Sequence, residues 1–274
     1  MVVQRFALSL LAVATFVAAL LLGPGYMLAS QQVALDTDWR QADRRASGLA
    51  PDPATLTDAV VQVYAARTFG WRGAFGVHTW IATKAEGAER YRIHQVLSWR
   101  RPVVVSAYGS PDRYWYGNPP TLLADIRGAR ASRAIDEIET AVANYPRADR
   151  YRVWPGPNSN TFVAWVVRSV SALSVDFPPT AIGKDYLIAS EGDALSGVLA
   201  SAPSGTGYQV SLNGLLGVML AFDEGIEWNV LGLAFGVDWR SPALKLPGLG
   251  RIGMAQPSGA RSVDQQAALT PEGE

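Results

Sequence analysis

The chain has 274 residues, of which 49% are hydrophobic, with 24 basic side chains balanced by 24 acidic ones. The length allows one large domain or a domain with an appendage, and the balanced charge excludes nucleic acid as the main partner, since phosphate binding needs a basic excess or patch. Cysteine is absent and the only histidines are His78 and His94, which excludes disulfides, thiolate metal sites and a cysteine nucleophile, and leaves no metal or cofactor implied.

The first element is apolar. No charge occurs from Phe6 to Ala34, and Arg5 stands on the N-terminal side. The run is long enough to cross a membrane. Met27-Leu28-Ala29 puts a large residue where a cleavage site needs a small one, so an uncleaved signal anchor is favoured over a cleaved signal peptide. With Arg5 on the cytoplasmic side, the chain is a single-pass inner-membrane protein with its domain in the periplasm. Residues 1–30 are then the anchor, 31–55 a polar tether, 56–254 one domain, and 255–274 a polar, disordered tail.

Val60–Ala66 reads as a first strand. Phe75–Thr83 alternates, with His78 on one face, and is followed by a turn at Lys84–Glu89 and a strand at Arg90–Trp99 that carries His94. Pro102–Ala107 and Asp112–Tyr116 read as short strands, Thr121–Ile126 as a short helix or turn. Ala131–Asn144 has Ile135, Ile138, Ala141 and Val142 at helical spacing. The next helix spans Ser159–Val170, and residues 207–254 read as a C-terminal β extension. Strands first and helices second predict an α+β fold. Gly183-Lys184-Asp185-Tyr186 reads as a turn with a solvated ion pair.

The stretch Trp154-Pro155-Gly156-Pro157-Asn158-Ser159-Asn160-Thr161-Phe162 is the most informative. Proline and glycine stop what precedes it, and Asn158 and Ser159 read as helix caps. A nucleophile-type residue on a helix N-terminus gains from the helix dipole and from amides that can bind an oxyanion. A plainly capped helix with no chemistry fits the same residues.

The order His78 on a strand, His94 on the next strand and Ser159 at a helix start resembles the circularly permuted papain-like proteins, including NlpC-type, lecithin:retinol acyltransferase-like and PPPDE-like members. Asn158-Ser159-Asn160-Thr161-Phe162 is similar to their Asn-Cys-x-x-Phe motif, with serine in place of cysteine. The resemblance covers residues 60–170 and implies Ser159 as nucleophile, His78 as base, His94 or Gln95 as its orienting partner, and Asn158 and Asn160 as loop or oxyanion residues. "APDP" at 50–53, "VQVYAAR" at 61–67, "GWRG" at 70–73, "PGPNSNTF" at 155–162 and "IGKDY" at 182–186 also resemble a bacterial envelope family catalogued as domain of unknown function 3750; that resemblance implies no activity. A hydroxyl does not ionise as a thiol does. Three readings stand: a serine hydrolase or acyltransferase on an envelope peptide, glycan or lipid; a degenerate catalyst that only binds; or a helix cap with no chemistry.

A reporter that works only in the periplasm, fused after Glu274, is expected to be active. Signal from a cytoplasmic reporter alone would overturn the orientation.

Overall fold

In the computed structural model, which describes residues 2–33, 35, 38–190 and 192–254, the chain opens with helix α1, Val2–Ala29. Within it Gln4–Ala29 is long and apolar enough to cross a membrane. Leu20, Gly23, Pro24 and Met27 recur at helical spacing and are buried, so one stripe of the second half of α1 docks on the domain while the first half is bare. Gly23 is required there, because a Cβ would stand 2.0 Å from the Pro247 carbonyl oxygen. The sequence-based disordered tail, 255–274, lies outside the described residues.

Five strands follow: β1 Val60–Arg67, β2 Val77–Lys84, β3 Arg92–Val96, β4 Val104–Tyr108 and β5 Thr121–Arg127. They form one antiparallel sheet in the order β4-β3-β2-β1-β5. Period-two alternation sorts its faces. Val61, Val63 and Ile81 meet Ile138 of α2 (Gly128–Ala143) and Phe162 and Val163 of α3 (Ser159–Ser169). Val60, Tyr64 and Trp80 face the other way, towards Tyr91 and Trp115. Helices thus cover one face, and the mixed helices and antiparallel sheets make the fold α+β.

Two local expectations differ from the structure. Thr121–Ile126 is strand β5, not a helix or turn: a short run carries too little period to separate the two, and pairing with β1 decides it. Asp112–Tyr116 is not a strand but a looped segment with isolated bridges. Buried Asp112 accepts hydrogen bonds from the Ser47 hydroxyl and from the Leu49 and Ala50 amides. Those bonds fix the end of the 31–55 segment onto the sheet.

The C-terminal part is a seven-stranded antiparallel meander: β6 Leu199–Ser201, β7 Gly207–Leu212, β8 Leu216–Ala221, β9 Gly225–Val230, β10 Leu233–Asp238, β11 Ala243–Leu246 and β12 Gly250–Gly253. Its inward face is polar. Gln209, Ser211, Glu227, Asn229 and Lys245 are all buried there. Lys184 lies 3.0 Å from Asp185 and also pairs with Glu227; Lys245 lies 2.8 Å from Asp176 and 3.6 Å from Glu227. Gly236 stands between Glu227 and Lys245 in the strand register, and its missing side chain leaves the gap those two span. The Lys184–Asp185 pair is therefore buried, not solvated as the sequence suggests. Its third member, Glu227, is too distant in sequence to be read from the turn itself. Burial alone would lower the Lys184 pKa, but the Asp185 and Glu227 carboxylates outweigh it and hold it raised.

Lys184→Met is expected to cost about 3–5 kcal/mol in urea unfolding of the detergent-solubilised chain, because it removes the cation that two buried carboxylates share. Arg127→Ala, which breaks the half-exposed pair with Asp125, is expected to cost less than about 1 kcal/mol. Similar losses for both would show that the buried network contributes no more than a surface pair.

Candidate functional site

Strands β2 and β3 pair only from Ile81↔His94 to Thr83↔Arg92. Towards the start of β2 they part, and a cavity of about 930 Å³ occupies the opening. It runs from Gly76–His78 and Val96–Trp99 to the α3 N-terminus, and reaches Leu231 and Leu233 of the second sheet. Trp71, Trp99, Trp115 and Trp154 are among its walls, and Arg72 is the only charged side chain that lines it among the described residues. The short 3₁₀ turn Gly70–Ala74, which carries Trp71, packs on α1, so this wall of the cavity lies beside the C-terminal end of that helix.

Asn158 is the cap of α3. Its Oδ1 accepts from the Asn160 and Thr161 amides, at 2.9 and 3.2 Å, and its Nδ2 donates to the Val153 and Ile182 carbonyls. Thr161 returns the capping box by accepting from the Asn158 amide. Asn160 donates to the Val77 and Ile182 carbonyls and accepts from Thr79 Oγ1. Both asparagines are thereby spent on joining the Pro-Gly-Pro loop, β2 and the 182–183 turn. Gly183 has φ +100°, and a Cβ there would stand 2.3 Å from Asn158 Nδ2, so the clamp depends on glycine.

Ser159 occupies the first helical position and is not the cap that the sequence suggests. Its carbonyl accepts from Thr79 Oγ1 at 3.4 Å. Its hydroxyl has no hydrogen-bond partner among the described residues, and it lines the cavity. The next two amides of the helix are already bonded to Asn158, so the Ser159 amide is the one first-turn donor left for an oxyanion.

His78 also lines the cavity. Its Nε2 lies 3.2 Å from Gln95 Oε1, which makes Nε2 the protonated nitrogen and leaves Nδ1 as an acceptor. The ring stacks on Trp115 with centroids 3.7 Å apart and neighbours Trp80 at 5.8 Å. Burial pushes its pKa down to about 3, against the opposing Gln95 bond and with help from the Arg113 charge. His78 leaves β2 on the face opposite Thr79, and Thr79 is the residue that touches α3. His78 and Ser159 therefore reach one cavity from opposite faces of the sheet.

His94 does not join them. It lies on the helix-covered face, with Nδ1 2.8 Å from Ser106 Oγ and Nε2 3.2 Å from Thr83 Oγ1 and 3.5 Å from Glu139. Burial, then the Arg92 charge, lowers its pKa to about 4. Of the two orienting partners that the sequence leaves open, the structure brings Gln95 to His78 and turns His94 away. Odd and even positions of β3 decide this, and register with β2 is what the sequence does not reveal. The aromatic walls, Trp71, Trp99, Trp115 and Tyr116, come from loops whose convergence has no periodic signal.

Residues 58–186 match the model of a family described as "Protein of unknown function (DUF3750)", so this segment is similar to that uncharacterised family. No curated protein and no solved structure matches the chain.

Both histidines are neutral in the folded chain and protonate near pH 6.5 once unfolded. The unfolded state then binds more protons, and stability falls as pH drops from about 6.5 towards 4. His94→Gln is expected to remove about 1.4 kcal/mol per pH unit from that slope, read as unfolding free energy between pH 4.5 and 6. An unchanged slope would mean that His94 is already protonated when folded.

Proposed function

We propose that this protein is a membrane-tethered domain, held on the periplasmic side of the inner membrane by α1, that binds the apolar chain of an envelope lipid or lipid-linked molecule. One observation carries the reading: a cavity of about 930 Å³, walled mainly by aromatic and aliphatic side chains, lies beside the C-terminal end of a membrane-length helix. Ligand sites have this size and apolar character. A chain leaving the bilayer next to α1 would exchange one apolar surrounding for another, with no crossing of water.

A serine hydrolase or acyltransferase is the second reading, favoured by the free Ser159 hydroxyl at a helix N-terminus and by the fixed tautomer of His78. It keeps the permuted papain-like order, with Gln95 in place of His94 as the orienting partner. It asks for a rearrangement, because a base must come within hydrogen-bond reach of the hydroxyl it deprotonates. An imidazole with its pKa near 3 is also a weak base for a hydroxyl. Binding needs neither change.

Energy transfer from the cavity tryptophans to a polyene fatty acid in vesicles holding the full chain tests the first reading. Saturable transfer is expected, and Trp99→Asp or Val153→Asp, both exposed enough to leave the fold intact, should weaken binding about tenfold, or about 1.4 kcal/mol. Transfer that does not saturate, or that ignores both changes, would sink it. For the second reading, a fluorophosphonate should label the wild type and not Ser159→Ala, and Ser159→Cys should react faster with thiol-directed electrophiles than an ordinary exposed cysteine. Absence of both leaves binding alone.

A further inference from the structure

The second sheet is built with its polarity reversed. Its inward face holds Gln209, Glu227, Asn229 and Lys245, all buried. Its outward face is apolar across its width. One cross-strand row reads Tyr208, Leu220, Ile226, Val237, Leu244 and Ile252, from β7 to β12. The next reads Val210, Val218, Trp228 and Phe235. Tyr208 is 69%, Leu220 59% and Leu244 53% exposed. The six strands from β7 to β12 at about 4.8 Å spacing make a face roughly 24 Å wide. Soluble monomers rarely expose apolar patches beyond a few hundred Å², and no charged side chain stands in either row to interrupt this one.

The neighbour of this face is α1. The Phe16 ring meets Phe235 edge to face at 6.0 Å, and Phe235 stacks on Trp228 at 5.8 Å. An aromatic line therefore runs from the membrane helix across β10 to β9. Phe16 lies about 20 Å from Ala29 along the helix axis at 1.5 Å per residue. In a helix whose apolar stretch is Gln4–Ala29, that point lies well inside a hydrocarbon layer about 30 Å thick. Whatever touches Phe16 stands at the same depth.

We propose that the outward face of the seven-stranded sheet is immersed in the acyl region of the leaflet that receives the C-terminal half of α1, so that the protein is anchored by a helix and an amphipathic sheet together. The proposal rests on α1 spanning the membrane and is independent of what the cavity binds. From β7 to β11 every strand is hydrogen-bonded to a neighbour on both sides, and the charged groups of these strands are turned to the protein side, so the centre of the face meets the conditions lipid contact imposes, while the edges β6 and β12 stand at its margin. Tyr208 and Trp239 supply the aromatic residues common where protein meets headgroups.

The absence of cysteine makes the test direct. Single-cysteine variants of the full chain, Val218→Cys and Leu244→Cys on the face, Val13→Cys on α1 and Glu86→Cys in the exposed β2–β3 hairpin, carry an environment-sensitive fluorophore. They are reconstituted in phosphatidylethanolamine–phosphatidylglycerol vesicles with or without acyl-brominated lipid. Labels at 218, 244 and 13 are expected to lose about half their emission or more to the bromolipid, and the label at 86 to respond only to aqueous iodide. Iodide quenching at 218 and 244 would place the face in water and overturn the proposal. Shielding there from both quenchers would assign the face to a second copy or another protein, and overturn it equally. Loss of bromolipid quenching at 13 as well would remove the anchor reading, and the proposal with it. Unlabelled variants with a wild-type melting curve establish that each outcome reports on the folded chain.

Discussion

The ion pairs around Lys184 determine which way the second sheet faces. Lys184, with Asp185 and Glu227, and Lys245, with Asp176 and Glu227, form one buried set. Buried charges persist only when paired. With the β9 and β11 charges held inward, strict alternation sends every other side chain of those strands outward, and those side chains are apolar. A one-residue slip in register would expose the charges and bury the hydrophobes. Such a sheet would suit water better and would lose its partners at residues 176 and 184–185. The polarity of the sheet and its attachment to the rest of the domain are thus the same set of contacts.

The amino-acid pattern foretold elements with strong periods. The α1 run, the β2 alternation through His78 and the α3 start after Pro-Gly-Pro are all local signals, and each has its counterpart in the structure. What stayed hidden depends on pairing. β5 looks like a short helix until β1 is set beside it. His94 and Gln95 are adjacent in sequence and lie on opposite faces of β3, so only the register with β2 selects Gln95 as the partner of His78. Lys184 looks solvated because its second carboxylate lies on β9. The reversed polarity of β7–β11 is visible as alternation, but alternation alone does not tell which face points inward.

The cavity follows from a related conflict. The β2–β3 ladder ends at Ile81↔His94, and in place of further pairing the strand ends spread around aromatic loops. Asn158 and Asn160 then brace the opening by bonding to β2 and to the 182–183 turn at once. His78 stacks on Trp115 with Trp80 alongside in the wall of this space, uncharged and bonded to Gln95. The polar groups of Asn158, Asn160 and His78 are already bonded to fixed partners, which leaves the Ser159 hydroxyl and the Arg72 side chain among the cavity groups with no hydrogen-bond partner in the described residues.

The Asn158 cap has a consequence for selectivity. A helix N-terminus is ordinarily an attractor of anions, through its free amides and its dipole. In α3 the carboxamide oxygen of Asn158 occupies two of those amides, and the remaining polar contribution of the wall is a hydroxyl, one amide and Arg72. A phosphate or carboxylate headgroup that entered would lose its hydration and find only Arg72 and one free amide to replace it. On the proposed reading, a chamber of this kind would discriminate by the girth and length of the chain it admits more than by the polar end that chain carries, a sieve for shape rather than for charge.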